Sequence, residues 1–72
     1  MNKPNFNRIK AVLADKKVSA KELAAKLEVH EQTVSGWSTN SKQPSIETLY
    51  KIAFLLNIEV SELLTKVKDL NK

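Results

Sequence analysis

Ser19-Ala20-Lys21-Glu22-Leu23-Ala24-Ala25-Lys26-Leu27-Glu28-Val29-His30-Glu31-Gln32-Thr33-Val34-Ser35-Gly36-Trp37-Ser38 reads as two short helices joined by a tight connection. Ser19 with Glu22 three residues later is a capping box, in which each side chain satisfies a backbone N–H that a helix start leaves free. Leu23, Ala24 and Leu27 then make the inner stripe of a two-turn helix ending near Leu27. Glu28-Val29-His30 leaves room only for a turn, and a helix from about Glu31 to Ser38 buries Val34 and Trp37. Ala24 is small where the two helices must approach closely.

Outward from this pair the same helical period continues. Upstream, Phe6, Ile9, Val12 and Leu13 place one apolar face on a first helix from about Phe6 to Lys16. Downstream, Thr39 to Gln43 is polar, and Pro44-Ser45 closes the loop with Ser45 placed to cap a fourth helix, about Ile46 to Leu56. Its inner face is Leu49, Ile52, Ala53 and Leu56. Asn57 can take the left-handed conformation that ends such a helix. A fifth helix is expected from about Val60 to Asp69, with Leu63, Leu64 and Val67 inward. No strand pattern competes.

The expected class is therefore all-α: one compact five-helix domain over 1–72, with 1–5 a flexible N-terminal arm, the central helix pair at 19–38, and the fourth and fifth helices within 45–70. With 72 residues the chain can hold one core and no second domain. It has no cysteine, one histidine and eight acidic residues, so no disulfide framework, no thiolate nucleophile and no set of zinc ligands is expected. No cofactor, metal or small-molecule ligand follows from the composition. No apolar run approaches the roughly 18 to 20 residues that span a bilayer, and the first residues lead into no signal-like stretch, so a soluble cytoplasmic protein is expected. The net charge is +4 and the excess is N-terminal, where Lys3, Arg8, Lys10, Lys16 and Lys17 face only Asp15. Such a charge permits a polyanionic partner without requiring one.

The run from Val18 to Leu64 resembles the lambda-repressor and Cro-like helix-turn-helix family, also called the XRE family. The resemblance is carried by the 19–27 run, by Gln32-Thr33-Val34-Ser35-Gly36-Trp37, by Pro44-Ser45, by Leu49-Tyr50-Lys51-Ile52-Ala53 and by Leu56-Asn57-Ile58. It implies a DNA-binding domain whose third helix lies in the major groove. This chain departs from the family pattern at four places. Glu28 stands where the turn usually has glycine and must adopt a positive φ or relax the turn. Asn40 replaces the glycine after the third helix. Ala20 replaces a phosphate-holding glutamine. Leu13 and Ser38 replace an arginine and a glutamate that often pair; both are missing together, so no buried charge is orphaned.

Residue by residue, each candidate has an ordinary reading beside the functional one. Trp37, spaced from Val34, packs in the core rather than stacking on a base. On the opposite face of the third helix stand Gln32, Ser35, Gly36 and Thr39, suited to base edges. Gln32 can bond adenine in bidentate fashion. Glu31 can accept from a cytosine amino group or simply be a helix-start charge. Gly36 signals close backbone approach to DNA or mere tolerance. His30 is a capping or phosphate-contacting side chain, and Thr33 a phosphate contact. Lys42, Gln43 and Ser45 sit where helix-start N–H groups can hold a phosphate. Arg8 and Lys10, with Lys3, either bind backbone or form a solvated surface. Tyr50 and Phe54 lie off the fourth helix's inner stripe, and Leu70 extends the fifth; they form a two-fold dimer surface or cover the core's edge.

The function expected is a repressor-like transcriptional regulator, binding a palindromic double-stranded operator as a homodimer that is paired in solution or only on DNA. A protein-interaction module of the same fold is the rival, favoured by the neutral charge around the third helix, Glu31 and Ala20. An enzyme is the weakest reading, since no nucleophile-base pair or phosphate-cradling glycine loop exists.

Overall fold

Helix starts and stops organise the chain. The computed structural model describes residues 5–70, which form α1 (Ile9–Lys16), α2 (Ala20–Leu27), α3 (Glu31–Ser38) and α4 (Ile46–Leu56), then two 3-10 turns, Val60–Leu63 and Val67–Asp69. Met1 to Pro4 of the expected arm, including Lys3, lie outside the described residues. The capping box of α2 forms as the sequence dictates: Ser19 Oγ accepts from the Glu22 amide at 3.0 Å and Glu22 Oε1 accepts from the Ser19 amide at 3.2 Å. Ser45 Oγ accepts from the Thr48 amide at 3.1 Å and starts α4.

Each α-helix stops by one device. The residue after the helix, or after α3 the next one beyond Thr39, takes a positive φ, and two amides turn back to carbonyls of the last turn. Lys17 and Val18 bond Ala14 and Leu13; Glu28 and Val29 bond Ala25 and Ala24; Asn57 and Ile58 bond Phe54 and Ala53. After α3 the same pair is Asn40 to Trp37 and Ser41 to Gly36. Among the described residues the left-handed ones are Lys17, Glu28, Asn40 and Asn57, none of them glycine. Glu28 takes φ 59°, so the turn between α2 and α3 keeps its geometry at the expense of a strained residue.

Around these stops the core closes. α1 contributes Ile9, Val12 and Leu13, α2 Leu23 and Ala24, α3 Val34 and Trp37, α4 Leu49, Ile52, Ala53 and Leu56, and the first 3-10 turn Leu63. Leu27 is only partly buried but packs on the cluster. Leu13, where the resemblance would place an arginine, is core. Among the described residues no buried side-chain polar atom lacks a hydrogen-bond partner.

The expected fifth helix does not form, and the count of α-helices among the described residues is four. The Leu63 carbonyl accepts from the Arg8 amide at 2.8 Å, and the Thr65 amide donates to the Phe6 carbonyl at 2.9 Å. Asn7 and Leu64 form an antiparallel bridge. Backbone groups that a fifth helix would use along its axis are spent across the chain, on an N-terminal segment whose own groups need partners. Leu64 and Val67, expected inward, are exposed, Val67 by 82%. The same pairing starts α1 at Ile9 instead of Phe6 and leaves Phe6 half exposed.

Two stability outcomes follow from this packing. Trp37 is buried in the core, so Trp37→Ala is expected to cost about 3 to 5 kcal/mol and abolish a cooperative melt by circular dichroism. Glu28→Gly removes the left-handed strain at an exposed position and is expected to raise the melting temperature, by about 1 kcal/mol of stability. A lower melting temperature would mean that the glutamate side chain contributes more than its backbone costs.

Candidate nucleic-acid interface

The α2–turn–α3 unit turns one face of α3 into the domain and the other out. Val34 and Trp37 anchor the inner face, which leaves Glu31, Gln32 and Ser35 exposed, with Thr39 following in the same direction. Gln32 makes no intramolecular hydrogen bond among the described residues, so all its carboxamide capacity is available. The Thr39 hydroxyl is already engaged, against the carbonyls of Ser35 and Gly36, each at 3.2 Å, and the Ser41 hydroxyl at 3.1 Å.

Gly36 is turned toward the following loop. A Cβ there would stand 3.6 Å from Ser41 Oγ and 3.8 Å from the Lys42 stem, ordinary contact distances. Packing does not require glycine at this position. Its carbonyl gathers the amides of Ser41 and Lys42, both at 3.1 Å, and so fixes the loop that leaves the helix.

Lys10 of α1, Ala20 of α2, and Ser35, Ser38 and Thr39 of the α3 end line one shallow groove floored by Leu13 and Val18. The structure thus brings Lys10, read from the sequence as a phosphate contact, beside the outward face of α3. Ala20 and the Leu13–Ser38 pair, two of the four departures from the family pattern, meet in the same groove. Arg8 goes elsewhere, donating from Nη1 to the Glu62 carbonyl at 3.2 Å.

At the start of α3, His30 holds the N-cap position with extended backbone, but its imidazole makes no capping bond, which removes the capping reading and leaves the side chain exposed. Thr33 is exposed one turn along. Lys42 is exposed in the loop before α4, whereas the Gln43 carboxamide is engaged at both ends, accepting from Asn7 Nδ2 at 2.8 Å and donating to Asn40 Oδ1 at 3.1 Å. Ser45 spends its hydroxyl on Thr48. The sequence reading missed Asn7 altogether and saw in Asn40 only a substitute for glycine. The usable signal was a carboxamide just ahead of α1 and two more in the loop after α3.

Away from this face, Tyr50 and Phe54 project from α4, Phe54 with 84% of its surface exposed. With Leu27 and Leu55 they line a groove between the end of α2 and α4, rimmed by Lys26, Glu28, Glu47 and Lys51. Phe54 therefore does little to cover the core's edge. Leu70 is half-buried after the second 3-10 turn.

Comparison with known proteins agrees with this geometry. The crystal structure of a candidate DNA-binding protein from Bacteroides fragilis is similar at 42% identity, with a TM-score of 0.82, over 83% of this chain and 97% of that one. No curated protein matches. The model of the Cro/C1-type helix-turn-helix DNA-binding domain matches residues 8–69, and the chain belongs to that family.

Proposed function

We propose that this chain is a sequence-specific transcriptional regulator that reads a short palindromic operator as a homodimer, acting in the cytoplasm as a binding protein and not as an enzyme. The observation that carries the reading is the outward face of α3, where Gln32 and Ser35 are exposed and Lys10 shares a groove with Ser35. A carboxamide free of internal bonds offers the donor and acceptor that an adenine edge pairs with in the major groove. Ser35 continues the base-facing line and Glu31 stands at its start, whereas Gly36, turned to the Ser41–Lys42 loop, and Thr39, with its hydroxyl engaged, lie at its margin. Lys10, His30, Thr33 and Lys42 supply the backbone contacts that set register and affinity, with Arg8 at the periphery through the guanidinium donors not spent on Glu62.

One such domain covers few base pairs, and specificity calls for two copies about 34 Å apart on successive major grooves. Tyr50, Phe54 and Leu70 are the proposed contact surface. The rim around Tyr50 and Phe54 carries both signs, Lys26 and Lys51 with Glu28 and Glu47, so two copies can meet there without like charges opposed. The same exposed groove favours the second reading, a module that docks a protein partner. Salt separates the two: phosphate contacts make duplex affinity fall steeply with salt, and a protein-docking module shows no such duplex binding.

Gln32→Ala is expected to lower affinity for a selected operator by about 1 to 3 kcal/mol while leaving scrambled duplex nearly unchanged, measured by competition. Equal loss on both would move Gln32 among the phosphate contacts. Sedimentation on a two-half-site duplex is expected to give two copies per duplex, and Phe54→Glu to reduce that to one or weaken binding sharply. One copy at saturation, or a Phe54→Glu protein that behaves as the parent, would remove this dimer surface.

A further inference from the structure

Two asparagines are the buried polar residues of this domain's described part, Asn7 at 4% exposure and Asn40 at 7%. They belong to separate segments, and their bonds close a ring. The Asn7 amide donates to Asn40 Oδ1 at 3.0 Å, and Asn40 Nδ2 donates back to the Asn7 carbonyl at 3.2 Å, so one side chain pairs with a backbone as a neighbouring strand would. Asn7 Nδ2 donates to Gln43 Oε1 at 2.8 Å, and Gln43 Nε2 donates to Asn40 Oδ1 at 3.1 Å. The second hydrogen of Asn7 Nδ2 goes to the Trp37 carbonyl at 3.0 Å, and Asn7 Oδ1 accepts from the Ile9 amide at 2.9 Å. These backbone partners fix which way the Asn7 amide points.

The ring joins three places: the start of α1, the last-turn carbonyl of α3, and the loop that carries Lys42. All its members are neutral, so it secures the junction without burying a charge. Exposed Gln43 is the outer member, and its Nε2, the group a phosphate would accept from, already donates to Asn40 Oδ1 at 3.1 Å and to the Asn40 carbonyl at 3.5 Å. We infer that Asn7, Asn40 and Gln43 are positioning residues for DNA binding: the ring holds the exit of α3 and the Lys42 loop in register with the outward face of the helix. Gln43 then acts through Asn7 and Asn40, and not as a phosphate contact of its own. The inference rests on the DNA-binding reading for its consequence, though not for its geometry.

The test is a double-mutant cycle on the full chain, with affinity for operator and scrambled duplex measured well below each melting temperature. Gln43→Ala and Asn7→Ala are each expected to weaken binding to both duplexes by about three- to tenfold. The double variant is expected to lose no more than the worse single one, because either change opens the same ring. Asn40→Gly, which keeps the left-handed turn but removes the carboxamide, is expected to match them and stands in if Asn7→Ala does not fold. Amide exchange at Ser41 and Lys42 should accelerate in every variant. Loss of affinity in Gln43→Ala alone, or losses that add, would make Gln43 a direct contact and overturn the inference. So would parent-like binding by Asn40→Gly. If the parent binds no duplex, the DNA-binding reading falls, and exchange at Ser41 and Lys42 decides the ring's role: unchanged exchange overturns it.

Discussion

The backbone of residues 5–8 has to find hydrogen-bond partners, and the way it does so shapes the rest of the domain. Asn7 is buried, and an unpaired N–H or C=O there would cost about 1 to 3 kcal/mol. Its two backbone groups take the Asn40 carboxamide on one side, while Phe6 and Arg8 pair with Thr65 and Leu63 on the other. One short segment therefore ends what would have been a fifth helix, delays the start of α1, and fixes the exit of α3. Removing its partners would disturb all three at once.

The helix ends show how little glycine this fold requires. Four left-handed positions are filled by lysine, glutamate and two asparagines. Each is stabilised by amides turned back onto the last turn, and at two of them the next residue, Val18 or Ile58, packs on the core. That hydrophobic contact offsets a backbone cost of roughly 1–2 kcal/mol per residue. The turn between α2 and α3 thus keeps the geometry that a helix-turn-helix needs although its usual glycine is absent. The asparagine after α3 is different in kind, because its side chain is used as well as its backbone.

Much of this was legible in the sequence because it is local. The capping box at Ser19, the cap at Ser45, the stripes of α2, α3 and α4 and the left-handed Glu28 and Asn57 each depend on residues a few positions apart. The fifth helix failed for the opposite reason. Leu63, Leu64 and Val67 have helical spacing, but the competitor for their backbone lies at Phe6 and Arg8, where no periodicity can reveal it. Phe6 was placed on the first helix by the same reasoning and fails with it. At the candidate interface, the outward face of α3 followed from the burial of Val34 and Trp37. The role of Gln43 did not, since it is set by bonds to Asn7 and Asn40 that exist only once the chain has folded.

The interface finally turns on one functional group used in two ways. Gln32 and Gln43 carry the same carboxamide, and both are exposed residues. Gln32 has no internal partner, so its donors and acceptor keep their full capacity for a base edge and lose nothing on leaving water if the edge is complementary. Gln43 has its oxygen on Asn7 and its nitrogen on Asn40, and moving to a phosphate would break both bonds and leave a buried asparagine short of a partner. Exposure alone does not distinguish the two residues. What distinguishes them is whether the fold has already used the hydrogen-bonding capacity, and on that ground the proposed reading assigns base contacts to Gln32 on α3 and a holding role to Gln43 in the loop behind it.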